Sequence, residues 1–200
     1  MALRKWTPIT IHDVVLKWLL AERKTHVEVR LGLIMPSPIW SAGLTKLLED
    51  PNTEDAEENR ARLRLLCMYR NANVMEIPPD TKWYAVQNLT ERELQKLYVF
   101  NHPNFRSSED RNELVKVAER ITPSRLTCPP EKWPERPILL GHHKRGPFTI
   151  LEGNHRLIAY AQSERAGLDI SVLIGLSPMR CCLSVLDDCG PTVQQLFQTT

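Results

Sequence analysis

The sequence predicts an α/β (α+β) protein, with a helical extension over residues 1–71 and an α/β domain over residues 72–200. Three observations carry that prediction. An apolar strand pattern at Phe148–Leu151 runs through Gly153 into a helical pattern from Asn154 onward. Strand-like and helix-like stretches alternate from about residue 72 to the end. Before residue 72, helical spacing prevails and prolines divide it.

In chain order, residues 10–24 predict an amphipathic helix, with Thr10 as its cap and Asp13 three residues on. Val14, Leu16, Trp18, Leu19 and Leu20 form a broad apolar face that belongs in a core. Pro36 and Pro38 break the chain, and residues 39–48 form a second helix closed by Pro51. Residues 53–70 place Glu54, Asp55, Glu57 and Glu58 ahead of Arg60, Arg62, Arg64 and Arg70, the order a helix dipole favours. Glu58 and Arg62 are one turn apart and can pair. Because acids neutralise the same helix, its arginines read as a solvated face before they read as a DNA contact. Val74–Ile77 is expected as a short strand ended by Pro78-Pro79.

Trp83–Gln87 is strand-like. Thr90-Glu91-Arg92-Glu93 is a capping box, opening a helix expected to run to about Phe100. A loop at His102–Phe105 precedes a helix capped by Ser107 or Ser108, carrying Leu114, Val115, Ala118 and Ile121. Residues 122–137 contain five prolines and read as an ordered connection. Pro137–Leu140 is a strand, His142–Pro147 a loop with a cationic tip, and Phe148–Leu151 the next strand. Ile170–Ile174 is a further strand, Cys181–Leu186 a last one, and Pro191–Phe197 a terminal helix.

Composition narrows the function classes. With 26 basic and 24 acidic residues the formal charge is +2, which gives no general drive toward nucleic acid. No uninterrupted apolar run of 18 residues occurs, so neither a transmembrane helix nor a membrane partner is expected. Five cysteines, an odd number without framework spacing, point to reduced thiols and a cytoplasmic setting. No Cys-x-x-Cys pair exists, and Cys181-Cys182 and His142-His143 are adjacent, a poor arrangement for tetrahedral metal ligands, so no metal site is assigned. The P-loop, Rossmann and nucleophile-elbow patterns are all absent.

The chemistry concentrates at Glu152-Gly153-Asn154-His155-Arg156. Glycine permits a sharp turn between strand and helix. The start of the helix then presents unpaired amides and roughly half a positive charge to one spot. Asn154, His155 and Arg156 lie in that first turn, and such a spot favours a phosphate or carboxylate. Arg156 can grip phosphate through two parallel hydrogen bonds. Glu152 can accept a proton or hold Mg²⁺ that bridges phosphate oxygens. Asp187 and Asp188 are further acids at a strand end. His143, Lys144 and Arg145, in the loop before the strand, can close over phosphates or touch nucleic acid. The spacing is equally compatible with a plain capped helix in which His155 and Arg156 pair locally.

The run Leu151-Glu152-Gly153-Asn154-His155-Arg156-Leu157-Ile158-Ala159-Tyr160 resembles the signature of the ParB/sulfiredoxin-like superfamily, over about residues 137–175. The resemblance implies a small mixed sheet as the core of the domain. It also implies a nucleotide-phosphate cradle at Gly153, Asn154, His155 and Arg156, with Glu152 and His155 as catalytic groups. The implied cofactor is a nucleotide, ATP or CTP, with Mg²⁺, and the implied activity is phosphoryl transfer or nucleotide hydrolysis. A DNA-associated binding module, working through residues 142–145 and the arginines of 60–70, is the alternative, and a ParB-like nuclease a third. Asn154 stands where sulfiredoxins carry a cysteine, so thiol-based repair is not expected. His155 stands where partition proteins carry another arginine.

Overall fold

A computed structural model describes residues 5–22, 38–75, 77–99, 113–120, 133, 135–163 and 170–178 of the chain. The expectations for residues 102–105, 107–108 and 121, for most of the proline-rich connection, and for everything beyond residue 178, Asp187 and Asp188 included, lie outside these residues.

Two strands with continuous apolar sequence lie inside the sheet. Ile138–Gly141 (β4) is buried at every position, and Ile170–Leu176 (β6) nearly so. Continuous burial requires cover on both faces, and the chain supplies it. β4 lies between Phe148–Glu152 (β5), to which it is antiparallel, and β6, to which it is parallel. Lys82–Leu89 (β2) pairs antiparallel with β6, and Trp6–Ile9 (β1) pairs antiparallel with β2. Leu97–Val99 (β3) pairs parallel with β5 at the other edge. The result is a mixed six-stranded sheet in the order β1-β2-β6-β4-β5-β3.

Alternate side chains of the central strands feed two cores. Ile138, Leu140, Leu151 and Leu173 face helices Ile11–Glu22 (α1), Pro38–Glu49 (α2) and Ala56–Met75 (α3), meeting Val14, Trp18, Leu19, Leu48 and Leu66. Leu139, Phe148, Ile150, Val172 and Ile174 face the opposite way. There they meet the short helices Glu91–Leu94 (α4) and Leu114–Arg120 (α5), and Asn154–Gln162 (α6). The molecule is therefore a helix–sheet–helix sandwich. The segment expected as a helical extension supplies one helical layer and also the edge strand β1, so the sheet draws on both sides of residue 71.

The helix starts follow their caps. The hydroxyl of Thr10 accepts from the Asp13 amide at 3.1 Å, and the Asp13 carboxylate accepts from the Thr10 amide at 2.8 Å. Asp55 accepts from the amides of Glu57 and Glu58 at 2.8 and 3.0 Å and starts α3.

Two expectations are corrected. Val74 and Met75, expected in a strand, complete α3 beyond a kink at Arg70. Val74 and Ile77 are instead buried in the core beneath the helices. Burial of the same two apolar residues is satisfied by a helical turn, and four residues of pattern do not separate the alternatives. The helix opened by the Thr90 box stops at Leu94, where a run to Phe100 was expected. Leu97 and Val99 are buried on β3, whose backbone pairs with β5. A free sheet edge offers those residues hydrogen bonds and burial together, which outweighs their local helical spacing.

Candidate anion-binding hinge

β5 ends at Glu152, and α6 begins two residues later at Asn154. Gly153 makes the turn with φ +93°, in the left-handed region. A side chain there would also lack space: a Cβ would stand 3.0 Å from Pro137 Cβ and 3.3 Å from the Arg156 guanidinium. Glycine is thus required twice, by conformation and by close approach. The first hydrogen bond of α6 runs from the Leu157 amide to the Gly153 carbonyl at 3.0 Å. The amides of Asn154, His155 and Arg156 precede it and have no acceptor within the helix. Gly153, the residue at the cap position, has no side chain to cap the turn, and the Glu152 carboxyl accepts from the Gly153 amide.

The four residues predicted as a cradle are together, but their side chains differ in what they do. Arg156 is mostly buried and is held on three sides. It pairs with the Glu152 carboxylate one turn back, donates to the Glu135 carbonyl, and lies over the Trp133 ring at 5.7 Å. The fork that was expected to grip phosphate is therefore closed by the protein's own acid and carbonyl. His155 is exposed at the start of the helix. Asn154 Oδ1 is enclosed and has no hydrogen-bond partner among the described residues.

Glu152 belongs to a wider group of charges. Its carboxyl is raised above the usual range, chiefly because burial disfavours its charged form. Arg156 opposes that shift, the nearby Glu22 carboxylate adds to it, and Arg70 and the Gly153 amide oppose it more weakly. Arg70 pairs with Glu22 at 2.6 Å, and Lys17 pairs with Glu135 at 3.5 Å. Helices α1 and α3 thus bring Glu22 and Arg70 up to the hinge. The sequence singled out Arg70 only among the arginines considered for DNA, and Glu22 not at all. The signal lies in the fold, because 48 residues separate the pair.

The loop expected to close over phosphates is elsewhere. Residues 142–147 enter β5 at Phe148, whereas the hinge follows its last residue. At about 3.3 Å per residue the two sit on the order of 15 Å apart, at opposite ends of the strand. Lys144 lies 5.2 Å from the centre of the Trp6 ring and 5.6 Å from that of Tyr84. His143 and Arg145 are exposed beside it. The base of the loop is anchored where His142 Nδ1 stands 3.1 Å from the Ser177 carbonyl and the Ser177 hydroxyl donates to Asp80 at 2.6 Å. A cavity of about 510 Å³ also opens at this far end, between Ile9, His12, Pro78 and Trp83.

The arginines considered for DNA are largely engaged. Arg62 is fully buried, Arg60 pairs with Glu57, and Arg70 pairs with Glu22, while Arg64 is exposed. Cys67 is half-buried and its thiol is pushed up by burial, which suits an inert residue. Among the described residues no group of three or more His, Cys, Asp and Glu stands ready to hold a metal. No described helix is long and apolar enough to cross a membrane. Comparisons with protein-family models, with curated proteins and with solved structures find no match to this chain.

Proposed function

We propose that the hinge is a phosphate-binding turn and that the protein binds a nucleotide there, ATP or CTP, for phosphoryl transfer or hydrolysis. The observation that carries this reading is the left-handed, sterically closed Gly153, which joins a strand directly to a helix whose cap residue has no side chain. That geometry gathers amide donors and the positive end of α6 at one spot. The resemblance of residues 151–160 to the ParB/sulfiredoxin-like signature supports it. Asn154 and His155 add side-chain donors, and Arg156 supplies positive charge from beneath. Glu152 is the acid–base group, since burial raises its pKa above the usual carboxylate range. Mg²⁺ would arrive with the nucleotide and neutralise phosphate charge; the chain's own part is to bind, orient and carry a proton.

Calorimetry with ATP and with CTP, with and without Mg²⁺, tests the binding, and a phosphate-release assay tests turnover. Micromolar binding is expected, weakened about tenfold or more in His155→Ala, as for loss of a charge-assisted contact. Absence of nucleotide binding overturns the reading. DNA affinity that falls steeply with salt, without turnover, would replace it with the binding-module alternative.

A further inference from the structure

We infer that an anion enters the hinge by exchange, taking the place of the Glu152 carboxylate on Arg156, and that Glu152 takes up a proton as it is displaced. The inference rests on the hinge reading above and states how the site works. Arg156 is nearly enclosed, with its side chain 13% exposed. One of its terminal nitrogens is committed to the Glu135 carbonyl, and its guanidinium lies over the Trp133 ring. The other terminal nitrogen meets Glu152. Of these three contacts, the carboxylate is the one that another oxyanion can replace in kind.

What happens to Glu152 afterwards follows from its surroundings. Its own side chain is 15% exposed. The groups that face it are Arg156 from α6, Glu22 from α1 and Arg70 from α3, together with the Gly153 amide. Arg70 is already paired with Glu22, which is itself only 3% exposed. Lys17 is paired with Glu135. Once Arg156 turns to the incoming anion, no uncommitted cation remains among these neighbours. A buried carboxylate without a counter-charge becomes protonated. The proton comes from solvent and cancels the charge that Glu152 would otherwise hold unpaired beside the incoming anion.

Sulfate is the probe, because it stays a dianion across the neutral range and brings no titration of its own. Calorimetric titration of the full chain with sulfate, in two buffers of different ionisation enthalpy at one pH, gives the protons taken up per anion bound. Wild-type protein is expected to take up close to one proton. Glu152→Gln should bind sulfate roughly tenfold tighter, since a neutral amide no longer competes for Arg156, and should take up none. The same measurement in His155→Ala separates the imidazole from the carboxyl, and there the uptake must persist. If Glu152→Gln does not fold, the His155→Ala protein alone decides: its sulfate affinity must rise as pH falls toward 5. Sulfate binding with no linked proton, or an uptake that survives Glu152→Gln, overturns the exchange and leaves the hinge standing. No sulfate binding in either protein removes the hinge site and the exchange together.

Discussion

The Arg70 guanidinium stands 2.6 Å from the Glu22 carboxylate, and it does so where α3 departs from helical geometry at φ −132°, ψ 30°. The ion pair ties α3, at its kink, to the last residue of α1. Glu22 is nearly sealed from solvent. Arg70→Ala should therefore cost about 1–3 kcal/mol, mostly the penalty of leaving a buried acceptor unmatched. Glu22→Leu combined with Arg70→Met should recover most of that loss. Urea denaturation of the two proteins checks both values. Equal destabilisation by the single and double variants would show that the pair contributes nothing beyond packing.

Gly153→Ala is the second test. Alanine at φ +93° carries left-handed strain, and its Cβ would press on Pro137 at 3.0 Å. The two effects together are expected to remove about 1–3 kcal/mol of stability. Relief by moving the start of α6 would also scatter the donors, so phosphate or sulfate affinity should fall at least tenfold in the folded variant. Thermal denaturation and calorimetry on one sample separate the two losses.

The sequence predicted this turn well because every requirement is local. The strand pattern at 148–151, the glycine and the helix spacing from Asn154 all act within a dozen residues. The Thr10 and Thr90 boxes were legible for the same reason. What was not legible depends on partners distant in sequence. Trp6–Ile9 contains a proline and has no clean alternation; it is a strand because β2 leaves an edge open. Leu97–Val99 pairs with β5, some fifty residues later. Glu135 and Trp133 close the Arg156 fork, and nothing in the spacing of 152–156 announces them.

Arg62 shows how a correct local pairing can carry the wrong environment. Its contact with Glu58 at 3.2 Å is the one-turn pair that the spacing predicts. The residue is nevertheless fully buried, where a solvated face was expected. It donates to the carbonyls of Leu47 and Asn52 at 3.1 and 2.8 Å and to Asn59 at 2.7 Å, tying the α2–α3 connection to the helix. Arg62→Met should cost about 3–5 kcal/mol, because it strands a carboxylate and several carbonyls. Arg64→Met, on the exposed side, should change stability by no more than about 0.5 kcal/mol. Chemical denaturation of the two variants side by side tests the contrast, and similar effects in both would argue against burial as the cause.

Lys144→Ala addresses the cationic loop. The ammonium lies over Trp6 and Tyr84, which themselves meet edge to face at 5.6 Å between centroids. Removing an exposed cation–π contact should cost about 0.5–1 kcal/mol and alter the fluorescence of Trp6. Any nucleotide affinity of the proposed hinge site should not change, because the loop and the hinge are at opposite ends of β5. A fall in affinity beyond about threefold would mean that the loop reaches the anion after all.

The pH dependence of stability separates Glu152 from the other perturbed groups by sign and by range. Folding raises the Glu152 pKa from its ordinary 4.5, with burial the main cause, so the folded state holds that proton more tightly than the unfolded chain. Its contribution is complete below 4.5 and is lost as pH rises through the raised value. Asp55 and Glu58 behave oppositely. Amide hydrogen bonds from Glu58 and from Asn52 hold them below their ordinary 3.8 and 4.5, so their contribution is lost only as pH falls beneath those values. His12, lowered from 6.5 by burial and by Arg62, also loses stability toward acid, with a sign opposite to that of Glu152. A single stability profile would blend the two. The difference between wild type and Glu152→Gln cancels His12 and leaves the carboxyl. Above pH 4.5 that difference should move steadily in favour of the glutamine variant until Glu152 is fully ionised, then stay flat. Guanidinium is unsuitable here because it screens ion pairs, so the profile is to be taken in urea at constant ionic strength. A difference independent of pH above 4.5 would mean that Arg156 compensates the burial of Glu152 completely.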